Sequence, residues 1–353
     1  MKPSGALRCG FALLVLLSQF ACDKKEPSLE LIDPPSRTVL YSSVDEPILR
    51  PILAEFTERT GIVVELRGDT EQTKTFGLVG LVVSERDAPK ADVWWSSEPF
   101  GTIALARAGV FSPHKPAVDP WPSGLAGADD LWHGFAVRAR VLVINTKRVS
   151  DAEVPETLRE LTGGVWKGRV GMAHPAFGTT RGHMAALAAR WGDAEYEAWL
   201  AAMHDNGLRI YDGNATVVRA VANGEIDVGL TDTDDVWAGL VNGWPVKAVY
   251  EVEEGATGVR WWSEGPMAVP NTAALIKGGP NPHGAQVLLD WILSPACEEM
   301  LARSDSHNMP VLSAMPDDLG AFAFDPSVPD LVETESRMES AVSVALRVLG
   351  LDE

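Results

Sequence analysis

Apolar and polar positions switch between two periods along the first hundred residues after an apolar leader. Residues 38–42 (TVLYS) form a short strand-like run. Asp45-Glu46-Pro47 then opens a helix, with acids at its start and proline in its first turn. Ile48, Leu49, Ile52, Leu53 and Phe56 recur at helical spacing on one face, and Gly61 closes the helix. Residues 62–66 (IVVEL) read as the next strand. Gly68-Asp69-Thr70 turns the chain into a helix reaching about Glu85. Residues 92–96 (DVWWS) make a third strand, and a helix follows over about 101–108. This alternation predicts βαβ units on a parallel sheet.

The same rhythm continues. Residues 137–145 (VRARVLVIN) predict a longer strand, and residues 169–173, 226–230 and 246–252 three more. Residues 267–276 read as a strand interrupted by Pro270. Helical spacing covers 179–191, 195–205, 216–223, a segment from about Asp235, then 285–293 and 333–349. No short repeat, low-complexity tract or central linker divides the chain. An α/β chain of this length without a linker predicts two lobes joined by strands that cross between them, a hinge that lets a cleft close.

The leader changes which residues count. Lys2 and Arg8 precede the apolar run 11–17 (FALLVLL), and Ala21-Cys22 precede the polar stretch Asp23-Lys24-Lys25-Glu26. This is the pattern of an export signal over 1–21, and the run is too short to be a permanent span. Cys22 stands where a bacterial lipoprotein carries its acylated cysteine, although Gln19 replaces the usual leucine three residues earlier. The expectation is a lipid-anchored periplasmic protein with residues 22–36 as tether. Cys9 leaves with the signal, so Cys297 has no partner and no disulfide framework is expected. The net charge of -19 argues against nucleic acid and anionic membrane surfaces.

Enzyme signatures are nearly absent. The exception is Asp232-Thr233-Asp234-Asp235-Val236 after an apolar strand, which matches the nucleophile loop of haloacid-dehalogenase-like phosphohydrolases. No matching lysine or downstream acidic pair accompanies it. The expectation is therefore a non-enzyme without a catalytic cofactor.

Four segments fall at predicted strand ends, where open α/β sheets place their crevice. They are Ser42-Ser43-Val44-Asp45-Glu46, Ser96-Ser97-Glu98, Gly178-Thr179-Thr180-Arg181 and Thr231-Asp232-Thr233-Asp234-Asp235. Asp45, Glu46, Glu98, Asp232, Asp234 and Asp235 are the candidate metal ligands, because clustered carboxylates repel unless a hard cation or an ammonium group joins them. Ser42, Ser43, Gly178, Thr179, Thr180 and Arg181 offer hydroxyls, helix-start N–H groups and a guanidinium to an anion. Helix capping is the alternative role for each segment.

The order of several pieces resembles the ferric-ion-binding branch of the family 1 extracellular solute-binding proteins. They are Leu40-Tyr41-Ser42-Ser43, residues 56–64 (FTERTGIVV), 91–98 (ADVWWSSE), 138–146 (RARVLVINT), 166–169 (WKGR) and 271–277 (NTAALIK). The resemblance implies a two-lobed periplasmic-binding-protein (Venus flytrap, type II) fold. It implies two crossing strands and delivery of ligand to an ABC transporter permease, and a monomer is expected. Lobe 1 is expected over 37–135 and 271–353, and lobe 2 over 136–270. Glu98 matches the acidic iron ligand, Asp45 or Glu46 falls near the N-terminal ligand, and Gly178, Thr179 and Thr180 match the site of a synergistic anion. Where the iron binders carry paired tyrosines, this chain has Asp234-Asp235. The ligand class therefore spans Fe3+ and divalent cations. The alternatives are an aminoalkylphosphonate, or a polyamine held by the acids and by Trp94, Trp95 or Trp237 through cation–π contact.

Overall fold

The computed structural model describes residues 36–68, 76–250, 267–324 and 327–352. The export signal, Cys22 and all but the last residue of the tether lie outside the described residues.

The first sheet begins with β1 (Arg37–Ser42), α1 (Glu46–Thr60), β2 (Val63–Gly68), α2 (Phe76–Ser84), β3 (Val93–Ser96), α3 (Phe100–Arg107) and β4 (Phe111–Ser112). The second region carries β5 (His133–Asn145), β6 (Val170–Ala173), α4 (Gly178–Trp191), α5 (Asp193–Asp205) and β7 (Arg209–Tyr211). It continues with α6 (Asn214–Asn223), β8 (Val228–Asp232), α7 (Thr233–Val241) and β9 (Val246–Val249). The chain then returns through β10 (Ala268–Ile276), α8 (Pro282–Ile292), α9 (Pro295–Arg303) and α10 (Leu331–Leu349). β4, β7 and α9 were not foreseen. The first two are too short to show a period. α9 is announced by Ser294-Pro295, where the Ser294 hydroxyl accepts from the Cys297 amide.

The strand order is β2-β1-β3-β10-β5-β8-β6-β7. β1 pairs in parallel with β2 and β3, and β6 pairs in parallel with β7 and β8. Each set is the parallel βαβ sheet that the alternation predicts. β10 and β5 run antiparallel between the sets. The first half of β5 pairs with β10 and its second half with β8 and β9. One 13-residue strand, buried throughout, thus belongs to both sheets. The two-lobed, type II binding-protein fold with crossing strands follows from this pairing.

The crossover is irregular where it bends. Ala136 has a positive φ of 40°, and the β5–β10 register shifts between Pro270 and Asn271. The Glu298 carboxylate, 0% exposed, accepts from the amides of Ala136, Val311 and Leu312. A segment after α9 is therefore fastened to the bend. Met309 then pairs with Val137 through both backbone groups, at 2.7 and 2.8 Å.

α1, α8 and α9 pack on one face of the first sheet through Leu49, Ile52, Phe56, Leu288, Leu289 and Leu301. α6 and α7 cover one face of the second sheet through Val217, Val221 and Val236. α10, placed in the first lobe on sequence order, packs instead mainly against α4 and α5. Its Met338, Ala341 and Ala345 are buried, and the Tyr196 hydroxyl donates to the Ala341 carbonyl at 3.0 Å. Sequence order misplaced it because an apolar helix face docks wherever a complementary face remains open.

Candidate functional site

β1, β3 and β8 end at Ser42, Ser96 and Asp232, and each hands the chain to a helix. Their ends converge on a cavity of about 70 Å³ lined by Ser43, Asp45, Ser97, Arg138, Asp234 and Asn308, among others. Asp45 precedes α1 on the first sheet, and Asp234 lies in the first turn of α7 on the second. Acids from the two sheets therefore face one gap. A larger cavity of about 550 Å³ lies elsewhere, bounded by Tyr41, Glu85, Lys90 and Lys277. Ala91 and Val110 in its wall precede β3 and β4, which puts it at the opposite end of the strands from the crevice of an open α/β sheet.

The Asp232-Asp234-Asp235 loop sorts its acids into two roles. One carboxylate oxygen from each lies within 4.8 Å of those of the other two. Asp232 is spent on structure. Its oxygens accept from Arg140 Nη1 at 2.7 Å, Arg138 Nε at 3.4 Å, Asn214 Nδ2 at 3.0 Å and the Thr179 hydroxyl. Burial alone would raise this carboxyl, but Arg140 and Arg138 outweigh it and hold Asp232 below the usual carboxylate range. Asp234 is different. Burial, reinforced by the Asp232 charge, pushes it up to about 6 against the pull of Arg138. Its Oδ1 is buried with no hydrogen-bond partner among the described residues. Asp235 is raised well above the usual range by burial and by the charges of Asp234 and Asp232. Its only hydrogen bond among those described comes from the Thr231 hydroxyl, at 3.5 Å. Arg138 Nε lies 3.8 Å from Asp234 Oδ2, and Asp234 and Asp235 stand close together beside that single guanidinium, which Asp232 also engages.

The remaining sequence candidates divide. Ser43 reaches the cavity, where its Oγ accepts from the Ser97 amide at 3.0 Å. Ser42 does not; its Oγ accepts from the Val44 amide and shapes the turn. Glu46 points to solvent and pairs with Arg50 one turn along α1. Glu98 caps α3, its two oxygens accepting from Phe100 N at 2.7 Å and Gly101 N at 3.0 Å. Burial raises its carboxyl. Gly178 starts α4 at a φ of +52°. The Thr179 hydroxyl is committed to Asp232, and the Thr180 hydroxyl donates to Asn214 Oδ1 at 3.3 Å. Arg181 is partly buried, and burial lowers its guanidinium from the ordinary range against the opposing pull of the Glu98 charge. Trp94 and Trp95 are fully buried and donate to Thr102 and Asn271, while Trp237 packs edge-on against Phe322. All three are core residues, so the cation–π expectation fails. Asp232, with both oxygens engaged by arginines, is also unsuited to the nucleophile role of a phosphohydrolase.

Two residues escaped the sequence reading. Arg138 donates to Ser97 O at 2.6 Å and to Asp232, so it spans the gap between the sheets' loops. Its signal was present: Arg138 and Arg140 stand two apart, on one face of an otherwise apolar strand, and buried charges require partners. Asn308 lies in an irregular segment with no periodic signal.

A profile described as "Bacterial extracellular solute-binding protein" matches residues 88–329. The "Fe(3+)-binding periplasmic protein" of Serratia marcescens is 33% identical over 198 residues, 54% of this chain and 55% of that protein. "Iron uptake protein A1" of Synechocystis sp. is 27% identical over 280 residues, 78% of this chain and 76% of the relative. The iron-bound crystal structure of HitA from Pseudomonas aeruginosa superposes with a TM-score of 0.74 at 25% identity, covering 89% of this chain and 99% of that one.

Proposed function

The chain belongs to the bacterial extracellular solute-binding proteins, and on that footing we propose that it captures a small hard metal cation between its lobes for an ABC importer. The observation that carries this is Asp45 and Asp234, brought from different sheets to one cavity, with Asp235 beside them. Carboxylate oxygens select hard cations, and the Arg138 guanidinium beside Asp234 is shared with Asp232, leaving three clustered acids with more negative charge than it offsets. Iron is the ligand named for the relatives above. Here it would be met by carboxylates, since Tyr41 is turned away to Glu85 and Arg67, Tyr196 is buried in the core, and Tyr211 and Tyr250 pack half-buried against the core of the second sheet. A cavity of about 70 Å³ suits an ion with a small companion and not a polyamine.

Ligand contact with both lobes would favour the closed arrangement. We assign 37–135 and 271–304 to one lobe, and 136–270 with α10 to the other. The Serratia relative is periplasmic by name, and we place this chain there too, tethered through Cys22. Mass spectrometry of the mature N-terminus tests the tether: an unmodified Cys22 would refute it.

Thermal stability is to be measured with Fe3+, Mn2+ and Ca2+. Saturation at about 100 times Kd should stabilise the protein by about 2.7 kcal/mol. Asp45→Asn with Asp234→Asn should abolish that shift. A shift surviving both substitutions, or none with any cation, rejects the cation reading.

A further inference from the structure

We propose that the larger cavity, remote from the cleft, is a second binding site, for a monocarboxylate carrying an apolar chain. The cavity measures about 550 Å³, within the range of small-molecule sites. Its walls come from four places in the chain: β1, the end of α2 with the turn that follows, the turn between α3 and β4, and the end of β10. All four belong to the first sheet and its helices, so the site does not depend on how the lobes meet.

Backbone pairing holds these walls in place. The Lys277 amide donates to the Val110 carbonyl at 2.8 Å, and the Ile276 amide to the Asp92 carbonyl at 2.9 Å. Gly109 makes the turn from α3 to β4 at a φ of +71°. A guest entering a site fixed in this way has little of it left to order.

The lining has two characters. Val82, Ala91, Val110 and Ile276 are buried and form an apolar floor. Around it stand three cations and two acids. Two of the cations are matched: Lys90 Nζ lies 3.4 Å from Glu85 Oε1, and Arg86 Nε lies 3.7 Å from Asp87 Oδ1. The second Glu85 oxygen accepts from the Tyr41 hydroxyl at 3.1 Å, so both oxygens of that acid are engaged. Lys277 has no carboxylate within ion-pair distance among the described residues. One positive charge beside an apolar floor is what remains, in a chain whose net charge is -19.

That balance selects the guest. A carboxylate head supplies the charge that Lys277 lacks, and an apolar chain covers the floor. A dianion would also face Glu85 and Asp87, and like charges at that range oppose each other. An ammonium head would be repelled by Lys277, and a neutral head would leave it unmatched.

The test titrates the full chain with octanoate, 1-octanol and octylammonium, read by calorimetry and by backbone amide NMR shifts. Octanoate should bind most tightly of the three. It should move the amides of Gly109, Val110 and Lys277 and leave those of Ser97 and Asn308 in the cleft unmoved. Lys277→Gln should weaken octanoate roughly 2- to 5-fold and leave octanol unchanged. Ala108 is exposed at the rim, so Ala108→Trp should occlude the cavity and abolish octanoate binding without lowering the melting temperature. Should that variant not fold, Lys277→Gln decides alone. Octanoate affinity at wild-type strength in Lys277→Gln overturns the proposal. So do octylammonium binding as tight as octanoate, shifts confined to the cleft, and a wild type that ignores octanoate.

Discussion

Asp232 and Asp234 are two residues apart and answer pH in opposite directions. Asp232 is held below its ordinary range, so its contribution to stability is present above about pH 4 and is lost as pH falls. Asp234, raised to about 6, favours folding while protonated, and that contribution is lost as pH climbs through about 6. The ligand-free protein should therefore lose melting temperature between about pH 4 and 7, and Asp234→Asn should flatten the loss. An expected difference of about 1 kcal/mol amounts to roughly 2–4 °C. An unchanged slope in the variant would remove Asp234 as its source. Asp232→Ala should behave oppositely. Arg140 is fully buried, and its Nε and Nη2 have no hydrogen-bond partner among the described residues. Stripping the carboxylate paired with it at 2.7 Å should cost about 3–5 kcal/mol. Denaturant unfolding measures this, and a loss under 1 kcal/mol would rule out the structural role.

Among the elements, the bend in β5 depends on a carboxylate from a different helix. Glu298 accepts three backbone amides at the crossover, where Ala136 takes its positive φ. Glu298→Ala leaves those donors buried without acceptors, and each such group costs about 1–3 kcal/mol. The variant should unfold at a clearly lower urea midpoint and exchange the amides of Ala136 and Val311 faster. Unchanged protection at both would refute the clamp. α3 relies on a similar device, with Glu98 supplying acceptors for its first free N–H groups. The acid that sequence order presented as a metal ligand therefore holds a helix start. Segment position alone does not distinguish the two roles, because both require an oxygen at the end of a strand.

Across the whole molecule, the lobes meet where Phe100 of α3 lies on Gly182 of α4. A methyl group at Gly182 would sit 2.1 Å from the phenyl ring. Gly182→Ala should hold the lobes apart, lowering cation affinity more than stability. Scattering would report the larger radius of gyration. Wild-type affinity in this variant would show that the ring simply moves aside.

Local pattern was enough for the βαβ rhythm, the two sheets, the crossing strands and the acid-rich loop ends. Those properties follow from periods of 2 and 3.6 and from short-range turn and cap chemistry, which neighbouring residues carry among themselves. Packing at long range assigned the roles. It paired Asp232 with Arg140, turned Glu98 into a cap, docked α10 on α4 and α5, and set Asn308 beside Arg138. A carboxylate's chemistry depends on which charges and donors surround it, and those neighbours are brought close only when the chain folds.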